Sequence, residues 1–146
     1  MASQPMPHRL ERSVVIHAAR DVVFNYFTDS ARWARWWGKG STIDPRSGGA
    51  VLIVHPGGVQ VAGEILEIDP PARLVFTWEI SAEWQYDPTI TAEVEVRFVA
   101  ESATTTRVEL EHRNLESFGE RAPELRQALD SDGGWNGLLE LFAKAV

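Results

Sequence analysis

The sequence predicts an α+β domain in which an antiparallel sheet of five or six strands curls around a long C-terminal helix. Three observations predict it. Residues 90–99 alternate apolar and polar side chains, the period of a half-buried strand. The breaks between successive apolar runs are short and rich in Gly and Pro, which suits hairpins, because a parallel crossover needs a dozen or more residues. The final segment runs from Pro123 to the end without another proline and carries apolar positions at helical spacing.

Taken in chain order, residues 1–8 are polar and proline-broken and read as a frayed tail ahead of one domain over residues 9–146. Residues 9–17 suggest a strand, with Leu10, Val14 and Ile16 apolar. Residues 18–28 look helical, Val23, Phe24 and Phe27 sharing one face. Asp29 or Ser30 can cap a short second helix carrying Trp33, Trp36 and Trp37, which Gly38 and Gly40 stop. Strands follow over residues 50–55, 59–69 and 74–80, parted by Pro56-Gly57-Gly58 and Pro70-Pro71. Strand phase is ambiguous around Gly63, where a bulge is expected.

In residues 90–99, Ile90, Ala92, Val94, Val96 and Phe98 face one way; Thr91, Glu93, Glu95 and Arg97 face the other. Their partner strand, residues 106–113, turns Val108 and Leu110 inward and Arg107, Glu109 and Glu111 outward. One face is therefore wet, and the other needs a cover. Leu125, Leu129, Trp135, Leu138, Leu139, Leu141 and Phe142 supply it. Gly133, Gly134 and Gly137 each cost about 1 kcal/mol in a helix interior, so the helix bends there, brings its backbone close to a strand or a ligand, or breaks in two at Gly133-Gly134.

Composition narrows the function. The 146 residues are 44% apolar and 24% charged, with six Trp, six Phe and no Cys. Thiolate chemistry and Cys-ligated metal sites are thus excluded, and a reducing cytoplasm fits. The net charge of −7 and scattered basic residues argue against nucleic acid. No apolar stretch approaches the ~20 residues of a membrane helix, so no membrane insertion is expected. His17 and His55 have no neighbour at metal-ligand spacing. Nucleophile elbows, phosphate loops and zinc-protease patterns are missing from the sequence, and no cofactor is implied.

Several residues point to a ligand. His112 continues the inward phase of Val108 and Leu110. It could hydrogen-bond a ligand, act as an acid–base group, or sit in the core satisfied by a backbone carbonyl. Trp36, Trp37, Phe76, Trp78 and Trp135 suit a pocket wall or plain core. Val94, Val96 and Leu110 would line the same space from the sheet, and Leu139 from the helix. Trp84 and Tyr86, in the loop between two strands, suit a rim, a lid or a homodimer contact, or equally a local cluster within the loop. Glu64 is read as a solvated carboxylate rather than a buried general base.

The chain resembles the START/SRPBCC superfamily, whose members share the birch-pollen-allergen fold, and within it the homologues of the heat-shock-protein-90 ATPase activator. The resemblance rests on ordered positions: Ala18 and Val23; Thr28-Asp29; Trp36-Trp37-Gly38; Gly48-Gly49; Gly63-Glu64-Ile65. It continues through Ile68-Asp69-Pro70-Pro71, Arg73-Leu74-Val75-Phe76-Thr77-Trp78-Glu79, Thr106 to Leu110 with His112, and Gly134-Trp135 with Leu138-Leu139. It implies a helix-grip fold with a cavity between sheet and helix that takes apolar molecules. It brings no universal catalytic residue, and the cochaperone role goes with a longer architecture. The expected function is therefore binding of an apolar or aromatic small molecule. The alternatives are a cofactor-independent cyclase or dehydratase using His112, or a protein-interaction module.

Overall fold

The computed structural model describes residues 10–36, 41–54, 60–79, 92–115, 117–118, 126–127, 129–130 and 135–146. Seven strands, β1 (Leu10–Ile16), β2 (Thr42–Ile43), β3 (Ala50–Val54), β4 (Gln60–Asp69), β5 (Arg73–Trp78), β6 (Ala92–Ser102) and β7 (Thr105–Arg113), form one sheet. The helices are α1 (Arg20–Phe27), α2 (Ser30–Trp36) and α3 (Trp135–Ala145). The sheet order is β1-β7-β6-β5-β4-β3-β2, and every pairing is antiparallel. From β2 to β7 the chain meanders, each strand beside the next. The helix pair α1–α2 carries it from β1, at one edge, to β2, at the other. This is the helix-grip α+β fold.

The expected five or six strands become seven. The extra strand, β2, has two residues, too few to show an alternation. Of the long C-terminal helix expected from Pro123, only parts are described. Arg126, Gln127 and Leu129 are helical, Asp130 lies in a turn, and α3 begins only at Trp135; this favours the two-helix alternative, although Gly133-Gly134 lie outside the described residues. In α3, Trp135, Leu138, Leu139 and Phe142 are buried, whereas Leu141, expected on the same face, is half exposed, since it falls a residue short of the inner stripe.

The register shift in β4 lies between Ile65 and Glu67 rather than at Gly63. The extra residue is Leu66, left exposed. Gly63 has a different reason to be glycine: a Cβ there would collide with the Thr77 carbonyl oxygen of β5. β4 pairs with β3 through Gln60 to Glu64 and with β5 through Ile65, on one side of the bulge, and Glu67 to Asp69 on the other.

Local signals set the helices. The Asp29 carboxylate accepts the Ala31 N–H at 2.9 Å, capping α2. Ser30 Oγ accepts the Ile43 N–H at 2.8 Å and donates to the Ile43 carbonyl at 3.0 Å, tying α2 to β2. Val23, Phe24 and Phe27 are the buried face of α1, as their spacing predicts.

Val94, Val96, Val108 and Leu110 are all buried, and Glu93, Glu109 and Glu111 are partly exposed, so the strand phase is as expected. Glu95 is the exception, on the outer face yet only 6% exposed. Three arginines cover it. Arg73 Nε, Arg97 Nη1 and Arg113 Nη1 donate to its carboxylate at 3.0, 3.1 and 2.6 Å. Binary patterning sees a charge and predicts water; it cannot see cations gathering from three strands.

The inner face has two ends. At one, α1 packs Phe24 and Phe27 edge-on against Phe98, with centroids 5.2 and 5.7 Å away. Phe27 also meets Phe142 of α3 at 5.3 Å and Trp33 of α2 at 5.9 Å, the indole N–H of Trp33 donating to the Phe27 carbonyl. Edge-to-face aromatic packing of this kind fills space densely. At the other end, the first residue of α3 comes down on β5 and β7.

Candidate functional site at the junction of sheet and terminal helix

The register builds that second end. Phe76 of β5 stands opposite Val94 of β6, and Val94 opposite His112 of β7, which faces Leu10 of β1. One step along, Trp78 stands opposite Ala92. Two residues apart on one strand point the same way, so Phe76 and Trp78 enter the inner face together, as do Leu110 and His112. Trp135 meets them from the start of α3. The Trp78 and His112 rings lie 5.0 Å apart, Trp78 and Trp135 5.5 Å, and His112 and Trp135 5.9 Å. All three residues are at most 1% exposed.

Their polar atoms are unevenly served. The Trp135 indole N–H donates to His112 Nδ1 at 3.0 Å. The partner expected for a core histidine was a backbone carbonyl; here it is an indole. His112 Nε2 and Trp78 Nε1 are buried without a hydrogen-bond partner among the described residues. Burial pushes the His112 imidazole down to about 3, so the ring is neutral at ordinary pH.

Of the residues expected to line a cavity, Phe76, Trp78, Val94, Val96, Leu110, His112, Trp135 and Leu139 are all buried in the core that joins sheet and α3. Trp37, the side chain of Trp36, and the rim residues Trp84 and Tyr86 lie outside the described residues. Glu64 is exposed, as expected of a solvated carboxylate, and so is His17. His55 lies outside the described residues. Among those described, no three His, Asp or Glu side chains gather as metal ligands. The sequence flagged each ring of the Trp78–His112–Trp135 cluster but not the unpartnered Trp78 nitrogen. Strand phase assigns a face to a side chain and says nothing about which of its atoms finds a partner.

The model of a protein family described as activator of Hsp90 ATPase homolog 1-like protein matches residues 17–146. The chain belongs to this family, a branch of the START/SRPBCC superfamily. Among solved structures, an anthrahydroquino-γ-pyrone synthase, Txn09, is 34% identical over 97% of each chain, with a TM-score of 0.68. An HSP90 activator from Plasmodium falciparum is 24% identical over 73% of each chain, with a TM-score of 0.61. The Aha1 dimer from Colwellia psychrerythraea is 12% identical over 94% of each chain, with a TM-score of 0.71. The last two share the fold with this family member. No match is found among curated proteins. No helix among the described residues is long and apolar enough to cross a membrane.

Proposed function

We propose that this family member binds an aromatic small molecule between the curved sheet and α3, where Trp78, His112 and Trp135 meet. The observation that carries the reading is the pair of buried ring nitrogens without hydrogen-bond partners among the described residues, Trp78 Nε1 and His112 Nε2. A buried polar group left unsatisfied costs about 1–3 kcal/mol. Folded domains keep few of them, and a cluster of two in an aromatic setting is the make-up of a small-molecule site. Txn09, solved in complex with SUM, supports the same reading by kinship.

The test is binding of 1-anilinonaphthalene-8-sulfonate to the folded chain. One probe per chain is expected, with weaker binding in Leu139→Trp. Leu139 is buried one helical turn after Trp135, so added volume there fills space that a ligand would use. Overfilling a packed core costs roughly 1–3 kcal/mol. If the native chain ignores the probe, and Leu139→Trp unfolds it by that amount, the region is ordinary core and the reading is wrong.

The synthase's 34% identity over nearly the whole chain favours a second reading, a cyclase acting on such a ligand. An o-hydroxyaryl 1,3-diketone is a direct substrate test. Its phenol oxygen attacks the far carbonyl carbon, water leaves, and a γ-pyrone ring closes. Mass loss of one water faster than in buffer supports the cyclase. A rate equal to that in buffer removes this reading and leaves the first in place. A chaperone-related role also fits the family description; the described residues add no observation that favours it.

A further inference from the structure

We infer that the ligand brings a neutral acceptor oxygen, such as an aryl ketone or quinone carbonyl, to His112 and Trp78, and that His112 meets it as an N–H donor rather than as a base. This rests on the binding reading above and names its ligand class. The protons around the cluster can be assigned one by one. An indole nitrogen donates and never accepts. Because Trp135 Nε1 lies 3.0 Å from His112 Nδ1, that nitrogen offers its lone pair and carries no hydrogen. A neutral imidazole has one N–H, which must then be on Nε2. Burial of the ring keeps it neutral. Trp78 Nε1 is a donor by its chemistry.

Both atoms, unpartnered among the described residues, are therefore donors, in rings whose centroids are 5.0 Å apart. A hydrocarbon would leave both unsatisfied. An ammonium group has only donors of its own to offer. A carboxylate would satisfy them, but moving its charge into this apolar setting without a cation costs several kcal/mol. A carbonyl oxygen carries two lone pairs and no charge, so it satisfies donors at the lowest desolvation cost. Held this way, the same donors would stabilise negative charge developing on that oxygen during an addition or enolisation.

The test compares 9-fluorenone with fluorene, which share a skeleton and differ at the carbonyl, by calorimetry on the full chain. Fluorenone is expected to bind about tenfold or more tightly, the worth of satisfying a buried donor. His112→Phe and Trp78→Phe should each shrink the ratio of fluorenone to fluorene affinity, whatever each does to the affinity for fluorene itself. Equal binding of both compounds by the native chain overturns the acceptor class and leaves the binding reading standing. Binding of neither removes both. A preference that survives both substitutions overturns the assignment to these two side chains. Nitrogen-15 NMR at pH 7 gives a measurement independent of any variant. Hydrogen on Nε2 alone is expected for His112, and hydrogen on Nδ1 overturns the donor role.

Discussion

Glu95 and His112 are close in the sheet and opposite in treatment. Glu95 follows Val94 on β6, and Val94 stands opposite His112 on β7. Both are nearly or wholly buried, one on each face. On the outer face the carboxylate keeps its charge. Burial alone would raise its pKa, but hydrogen bonds from Arg73, Arg113 and Arg97 outweigh that and hold it down to about 2. On the inner face the imidazole has, among the described residues, no charged partner and one neutral hydrogen bond, and burial strips its charge. Around Glu95 the outer face spends its polar groups on one another, although farther along it Arg107 Nε is buried without a hydrogen-bond partner among the described residues. The inner face is left with hydrogen-bonding capacity to spare, which is what a binding site needs and a structural core avoids.

Acid should separate the two faces most strongly. Below its ordinary value of 6.5 the unfolded His112 takes a proton that the folded ring refuses until about pH 3. Stability is thus lost as pH falls, at roughly 1.4 kcal/mol per unit. Between pH 6.5 and 4.5 the loss should reach about 2–3 kcal/mol in urea unfolding, and His112→Phe should lack it. Glu95, whose carboxyl is depressed, adds its own loss only below its ordinary value of 4.5, down to about 2. A curve as steep in His112→Phe as in the native chain would mean that the inner face does not hold a neutral ring.

Glu95→Ala sharpens the outer half. It leaves three guanidinium groups facing a vacated carboxylate position, and about 2 kcal/mol should be lost in the same assay at pH 7. The arginines are about a third exposed, so water relieves part of their repulsion. Smallest of all, Glu101→Gln should change stability by less than about 0.5 kcal/mol. Its Arg107 partner is 3.5 Å away at the exposed edge of the same network. A cost as large as that of Glu95 would show that the outer face acts as one unit rather than around a centre.

Periodicity made the inward phase of Val94, Val96, Val108, Leu110 and His112 legible, because a slip of one residue would expose the whole set. It failed where spacing carries no information. Thr42–Ile43 is too short to alternate. Leu66 interrupts β4 because a bulge reverses phase without any change in composition. The burial of Glu95 depends on Arg97, two positions on, and on Arg113 and Arg73, 18 and 22 positions distant in sequence and adjacent only in the folded sheet. The site itself was half legible. Trp78, His112 and Trp135 could each be placed on the inner side, but the indole-to-imidazole bond that fixes the tautomer exists only once α3 is seated on β7.

The hydroxyl of Ser30 has a consequence for life at high concentration. β2 ends the sheet, and the outermost strand of any sheet is a template on which another chain can add. Ile43 faces that edge, and Ser30 Oγ takes both its N–H and its carbonyl, doing with one oxygen atom what an eighth strand would do with its backbone. Among the described residues of this edge, Ile43 is the position where β2 could recruit a neighbour, and the seal occupies it. Replacing Ser30 by Ala would reopen it, and the protein would lose protection against self-association before it lost its fold.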